Sequence, residues 1–225
     1  MKQLLLEIAP PAQPTFANFV PGANRELLHR LRSAAAGNSG ERVIYLWGDS
    51  GSGKRHLLEA LAHAGVRPVV RARPDAIPGE ARDSIVTLAH VDTLDPQQQV
   101  CLFNLINILD HAVLVAAGPC APAQLGVRED LATRLGSGLV YQVHALTDAD
   151  KREALAAHAQ ARGFALSEEI AAYLLRHARR DMPSLIAILD AIDRHSLETG
   201  RPVTLPLLKE ALNALPETTR EARTV

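Results

Sequence analysis

The amino-acid sequence predicts an α/β fold, a parallel sheet flanked by helices, followed by a small all-helical lid. Three observations predict it. Strand-like apolar runs alternate with helical runs as far as Val143, the pattern of parallel α/β units. One strand pattern runs directly into Gly48-Asp49-Ser50-Gly51-Ser52-Gly53-Lys54 and then into a helical pattern, the context a phosphate-binding loop requires. After Val143 the strand patterns stop and four helical ones follow.

The elements read in order as follows. Asn24 stands where a helix cap belongs, before a helix to about Ser33 with Leu27, Leu28 and Leu31 on one face. Arg42 to Trp47 is rich in β-branched and aromatic residues and reads as a strand. A helix covers His56 to Ala64, and further strands are expected at Pro68–Ala72, Ser84–Leu88, Ala112–Ala117 and Leu139–Val143. Leu102, Leu105, Ile106 and Leu109 mark a helix from about Pro96 to Asp110. Four lid helices are expected, to about Ala161 from Thr147, to about Arg179 from Ser167, over Pro183–Leu197 and over Leu205–Leu215. Capping residues Thr147, with Asp150 three positions on, and Ser167 place the first two starts.

These patterns divide the chain into a tail (1–8), a proline-rich linker (9–14), an α/β domain (15–145), a helical lid (146–215) and a flexible C-terminal tail (216–225). Prolines 10, 11 and 14 favour an extended linker. Apolar Leu4, Leu5, Leu6 and Ile8 ahead of it suit docking into a partner; a strand added to the domain's own sheet fits the pattern equally well.

Composition excludes several classes. With 47% hydrophobic residues and a formal charge of -1, the chain has material for a core and is not disordered throughout. It has no apolar run of membrane-spanning length, and its two cysteines make neither a disulfide scaffold nor a zinc site by themselves. A soluble, cytoplasmic protein is expected. Residues 1–143 carry 13 basic and 13 acidic groups, and residues 144–225 carry 11 and 12. No basic domain stands out, so strong direct DNA binding is not expected.

In Gly48 to Lys54, glycines free backbone N–H groups to surround phosphates, and the helix start adds partial positive charge. Lys54, one of only four lysines, would reach the terminal phosphates. The bland reading is a flexible glycine turn. Two positions depart from a working loop. Arg55 stands where a serine or threonine hydroxyl would help hold magnesium, and Ala89-His90 follow the third strand where a carboxylate is expected. Asp92 lies two residues further, in the expected turn. No metal site is therefore expected.

Phe16-Ala17-Asn18-Phe19-Val20-Pro21-Gly22-Ala23-Asn24 resembles the F-x-N-F-V-x-G-x-N entry of the bacterial replication initiator DnaA. Tyr45-Leu46-Trp47-Gly48, Asp130-Leu131-Ala132-Thr133-Arg134-Leu135, Ala145-Leu146-Thr147-Asp148 and Arg162-Gly163-Phe164 continue the likeness. The chain thus resembles the DnaA-like AAA+ family, whose P-loop domain carries a parallel sheet and a helical lid. With no room after Leu215 for DnaA's helix-turn-helix domain, and with Gln3-Leu4-Leu5-Leu6-Glu7-Ile8 at its start, it is most similar to the short Hda-type regulators of DnaA.

The resemblance implies a five-stranded sheet with the loop strand near its centre. It implies Phe19 and Val20 beside adenine, and Gly48, Asp49, Ser50, Gly51, Ser52, Gly53, Lys54 and Arg55 around phosphate. It implies Arg134 as an arginine finger acting on the ATP of DnaA, with Leu131 and Leu135 as anchors and Thr133 helping to start the helix. Gln3, Leu4, Leu6 and Ile8 would bind the sliding clamp, the beta subunit of DNA polymerase III. Against the family pattern, a polar residue is missing at Val115-Ala116-Ala117-Gly118, and Pro183 replaces the arginine of the second sensor. ADP is then expected to bind weakly or not at all.

The residues also admit a self-contained P-loop ATPase, and an adaptor that has lost nucleotide altogether. Arg134 outside its family context would be an ordinary surface arginine, and Arg179-Arg180 a solvated pair at a helix end. Self-association stays open.

Overall fold

The computed structural model describes residues 13–38, 40–64, 67–73, 82–109 and 111–214. The tail with Gln3, Leu4, Leu6 and Ile8, the linker as far as Ala12, most of the connection between the second and third strands, and everything from Leu215 lie outside the described residues. The chain divides into a unit Pro14–Ala145 and a unit that runs on from Leu146.

In the first unit α1 (Arg25–Ala35) precedes β1 (Val43–Trp47), α2 (Lys54–Ala64), β2 (Val69–Ala72) and β3 (Ile85–Leu88). Then come α3 (Pro96–Ile108), β4 (Val113–Gly118), α4 (Glu129–Gly136) and β5 (Leu139–Gln142). All four strand pairings are parallel, in the order β2-β3-β4-β1-β5. The loop-bearing β1 is interior, but β4 holds the middle, and its six residues are all buried.

Alternation along each strand divides the core in two. Val43 and Tyr45 of β1 join Leu114 and Ala116 of β4 on the face covered by α3 and α4 through Leu102, Leu105, Leu131 and Leu135. Ile44, Leu46, Val113, Val115 and Ala117 face the other way, against Leu27, Leu31, Leu57 and Leu61 of α1 and α2. The start of α3 is fixed by a capping box. Asp95 accepts from the Gln97 and Gln98 backbone N–H groups, and the Gln98 side chain accepts from Asp95 N–H.

Asn24 precedes α1 as expected, but its side chain does not cap the helix. It is 3% exposed, donates through Nδ2 to the His144 carbonyl (2.8 Å) and accepts through Oδ1 from the His144 N–H (2.8 Å). A buried amide paired with both polar groups of one backbone residue locks the entry segment to the exit of β5.

The second unit contains α5 (Asp148–Ala161), α6 (Glu168–His177), α7 (Met182–Thr199) and α8 (Leu205–Ala214) around a core of Leu155, Leu174, Leu185, Leu189, Ile192 and Leu208. Thr147 and Asp150 form the capping box read from the sequence, Ser167 caps α6, and Asp181 caps α7 by accepting from the Ser184 N–H. Pro183 sits in the first turn of α7, where its missing N–H costs no helical hydrogen bond. Arg162 ties α5 to α7 through Asp193 (2.9 Å) and Asp190 (3.3 Å). The Arg179-Arg180 pair is not merely solvated. The α6 helix ends at His177, Arg179 pairs with Asp181 at 3.2 Å, and Arg180 pairs with Asp148 in the first turn of α5.

Candidate functional site

Parallel strands end together, so the loops after β1, β3 and β4 gather at one edge of the sheet. The turn after β1 is built by two glycines whose positions allow nothing larger. At Gly48 (φ +148°) a Cβ would stand 2.5 Å from the Val143 carbonyl oxygen, where the ends of β1 and β5 run side by side. At Gly53 (φ +106°) it would stand 3.0 Å from Cε2 of Phe19. The entry segment thus lies on the loop itself. Phe19 also meets the His56 ring at 5.4 Å, and His56 Nε2–H donates to the Thr15 carbonyl (3.0 Å). Val20 is half-buried next to Phe19 in the chain.

Helix α2 begins at Lys54, so its first N–H groups open onto the loop. Asp49, Ser50 and Gly51 are exposed; Ser52 is buried, and its Oγ has no hydrogen-bond partner. An orphaned hydroxyl in a glycine turn at a helix start is a donor set that fits phosphate. Lys54 is turned onto the loop's own oxygens, donating to the Gly48 (2.6 Å) and Asp49 (2.9 Å) carbonyls. Burial lowers its pKa, and the nearby carboxylates of Asp49 and Asp92 oppose that shift. Asp92 does lie in the short turn after β3, as the sequence suggests, yet it is close enough for its charge to act on Lys54.

The magnesium positions do not fit a metal. Arg55 is not directed at the phosphate position; its side chain is 85% exposed and held by Glu59, one turn along α2, at 2.8 Å. His90 is exposed and left-handed (φ +59°), and its carbonyl accepts from Thr93. Among the described residues no group of His, Cys, Asp and Glu could hold a metal ion.

The end of β4 is also accounted for. A Cβ at Gly118 would lie 2.0 Å from the Tyr45 hydroxyl oxygen. Tyr45 is fully buried and donates to the Cys120 carbonyl at 3.1 Å, and burial pushes its phenol well above the usual range. The phenol fills the space into which a side chain on the last residue of β4 would project.

Arg134 is placed differently. It is exposed, in the last turn of α4. Leu131 and Leu135, both fully buried, anchor α4 in the core on the sheet face opposite to α2. Thr133 does not start this helix; it is exposed in its middle, and the helix begins at Glu129. The Arg134 guanidinium lies over the Phe103 ring, 5.9 Å from its centroid. Among the described residues it has no carboxylate partner.

Two family models match, bacterial DnaA ATPase domain over residues 12–80 and the lid domain of Hda over residues 148–212. Over these two segments the chain is similar to a DnaA-like AAA+ protein with an Hda-type lid. The fold of this DnaA-like chain is shared by solved structures of low sequence identity. Domain III of the Thermotoga maritima replication initiation protein DnaA is 17% identical, with a TM-score of 0.64 over 95% of this chain and 100% of that one. AMPPCP-bound DnaA from Aquifex aeolicus is 20% identical, TM-score 0.64, over 84% and 68%. A Thermotoga maritima RuvB mutant is 13% identical, TM-score 0.65, over 90% and 73%. The two family matches support a DnaA-related role in replication. None of the described helices is long and apolar enough to cross a membrane.

The structure brings Phe19 and Gly48 to Lys54 together and leaves Arg55 and Arg134 outside that group. Sequence reasoning missed the roles of Tyr45, Asn24 and His56. For Tyr45 the available signal was a phenol in an otherwise apolar strand, which needs a partner when buried. Gly118→Ala should destabilise the α/β unit by about 2 kcal/mol through overpacking. Adding Tyr45→Phe should restore part of that loss, a non-additive result readable in urea denaturation followed by the fluorescence of Trp47, the single tryptophan. Additive losses would mean that the two residues do not compete for space.

Proposed function

We propose that this chain is a negative regulator of replication initiation, which binds the sliding clamp through residues 1–8 and stimulates hydrolysis of DnaA-bound ATP through Arg134. The observation that carries this reading is an exposed arginine that has no carboxylate partner among the described residues, on a helix anchored to the sheet face opposite α2. As a terminal phosphoryl group transfers to water, its charge is stabilised by a guanidinium inserted from a neighbouring molecule. An arginine that serves a neighbour's nucleotide requires no magnesium ligands in its own chain. Arg134→Ala should lower stimulated DnaA-ATP turnover on clamp-loaded DNA by on the order of 10³-fold. Arg134→Lys should fail almost as badly, because lysine lacks the planar donor fork. Undiminished stimulation by either folded variant would end this account.

Clamp docking rests on Gln3, Leu4, Leu6 and Ile8, a largely apolar sequence of a kind that, when extended, pairs by backbone hydrogen bonds and fills pockets with alternate side chains. Replacing Gln3 and Leu6 by alanine should abolish clamp binding in surface plasmon resonance and leave the unfolding transition unchanged. Retained binding, or unfolding of the double variant, would defeat the proposal.

For nucleotide, the loop's orphaned Ser52 hydroxyl and helix start support weak ADP binding, with Lys54 and the backbone N–H groups holding phosphate. A bound diphosphate would supply negative charge that Lys54 and the start of α2 counterbalance. The outward Arg55, and Ala89 and His90 in place of a carboxylate directly after β3, argue against efficient hydrolysis in cis. The contact of Lys54 with its own loop carbonyls favours a second reading, an adaptor without nucleotide. Titration calorimetry should show ADP binding more tightly than magnesium-ATP. No heat with either would favour the adaptor, and equal magnesium-dependent binding would restore the self-contained ATPase.

A further inference from the structure

Asp130 and Arg134 are four residues apart on α4, with the acid on the N-terminal side. On a helix this spacing and polarity bring a carboxylate and a guanidinium together as an exposed ion pair. The pair is not formed. Asp130 is held instead by Arg128, the residue just before the helix, in a two-pronged contact: Nε to Oδ1 at 3.1 Å and Nη2 to Oδ2 at 2.6 Å. Oδ1 also accepts from the Leu131 N–H at 2.8 Å. Both carboxylate oxygens are therefore engaged. The hydrogen bond from Arg128 holds the Asp130 carboxyl below the usual carboxylate range, so it is ionised at neutral pH and would otherwise attract the next guanidinium.

Arg128 is itself fixed. Its backbone N–H donates to Oε1 of the buried Gln99 (2.9 Å), whose Nε2 donates to the Leu94 carbonyl (2.9 Å). The side chain of α3 thus sets where α4 begins and where Arg128 starts. Phe103, on the same helix α3, lies under the Arg134 guanidinium. A cation over a ring is bound through its face, which leaves the N–H donors at its edge available. An ion pair with Asp130 would consume those same donors.

We infer that Arg128 is a positioning residue for Arg134: by occupying Asp130 it keeps the neighbouring carboxylate from tying down the guanidinium, which rests on Phe103 with its donor edge free. The effect on DnaA-ATP turnover rests on the arginine-finger reading above; the pairing itself does not.

The test therefore has two arms. In the chain alone, the Arg134 side-chain Nε–H signal is located in ¹⁵N spectra by its loss in Arg134→Lys. In Arg128→Ala this signal should shift and exchange more slowly with water at low salt, as Asp130 turns to Arg134. Strong salt should reverse the change, since an exposed pair is screened. Arg128→Ala combined with Asp130→Ala should restore the original signal. In the turnover assay Arg128→Ala should reduce stimulation about two-fold, the size expected of an exposed pair at this spacing, and the double variant should recover it. An unchanged Arg134 signal in Arg128→Ala overturns the inference, as does a double variant that stays like the single one in both arms. If Arg134→Ala stimulates like the parent protein, the arginine-finger reading fails, while the spectra still decide the role of Arg128.

Discussion

The structure depends on one constraint, a parallel sheet that must be covered on both faces. Every residue of β3 and β4 is buried, and each strand sends alternate side chains into two separate cores. Parallel strands can be joined only by long crossovers, which supply the covering helices. The same geometry brings the strand ends together at one edge. The phosphate loop, the turn with Asp92, the Gly118 end of β4 and the His144 clasp of Asn24 are neighbours for that reason.

At that edge, close packing has taken over positions where nucleotide chemistry would need polar groups. Tyr45 fills the space beyond Gly118, Phe19 rests on Gly53, and Glu59 draws Arg55 away along α2. What remains is a cradle of backbone N–H groups, the buried Ser52 hydroxyl and a lysine satisfied by its own loop. Such a site retains phosphate geometry without metal geometry. The sheet face opposite α2 carries α4, which presents the exposed Arg134.

The allocation of charges on α4 shows how much depends on a single short-range choice. Three charged groups, Arg128, Asp130 and Arg134, admit two pairings. The rigid fork of Arg128, started from a backbone pinned by Gln99, takes the carboxylate in both prongs. A bidentate contact from a fixed start loses less side-chain freedom than one formed by a long side chain from the last turn. The remaining guanidinium finds an aromatic face.

The order of strands and helices, the loop at Gly48 to Lys54 and the caps at Thr147 and Ser167 were legible in the sequence. They depend on periodicity, glycine spacing and capping chemistry, all of which act over a few residues. Asn24 shows where that reasoning ends. A polar residue before a helix looks like a cap, yet its amide is engaged 120 residues away with His144. The same holds for Arg55, taken by Glu59 one helical turn away, and for Arg180, taken by Asp148 at a distance in the chain. Local sequence determines which elements form and which faces they bury. Only the tertiary structure decides which partner each polar side chain takes, because several partners of similar energy are available and packing brings just one of them within hydrogen-bonding distance.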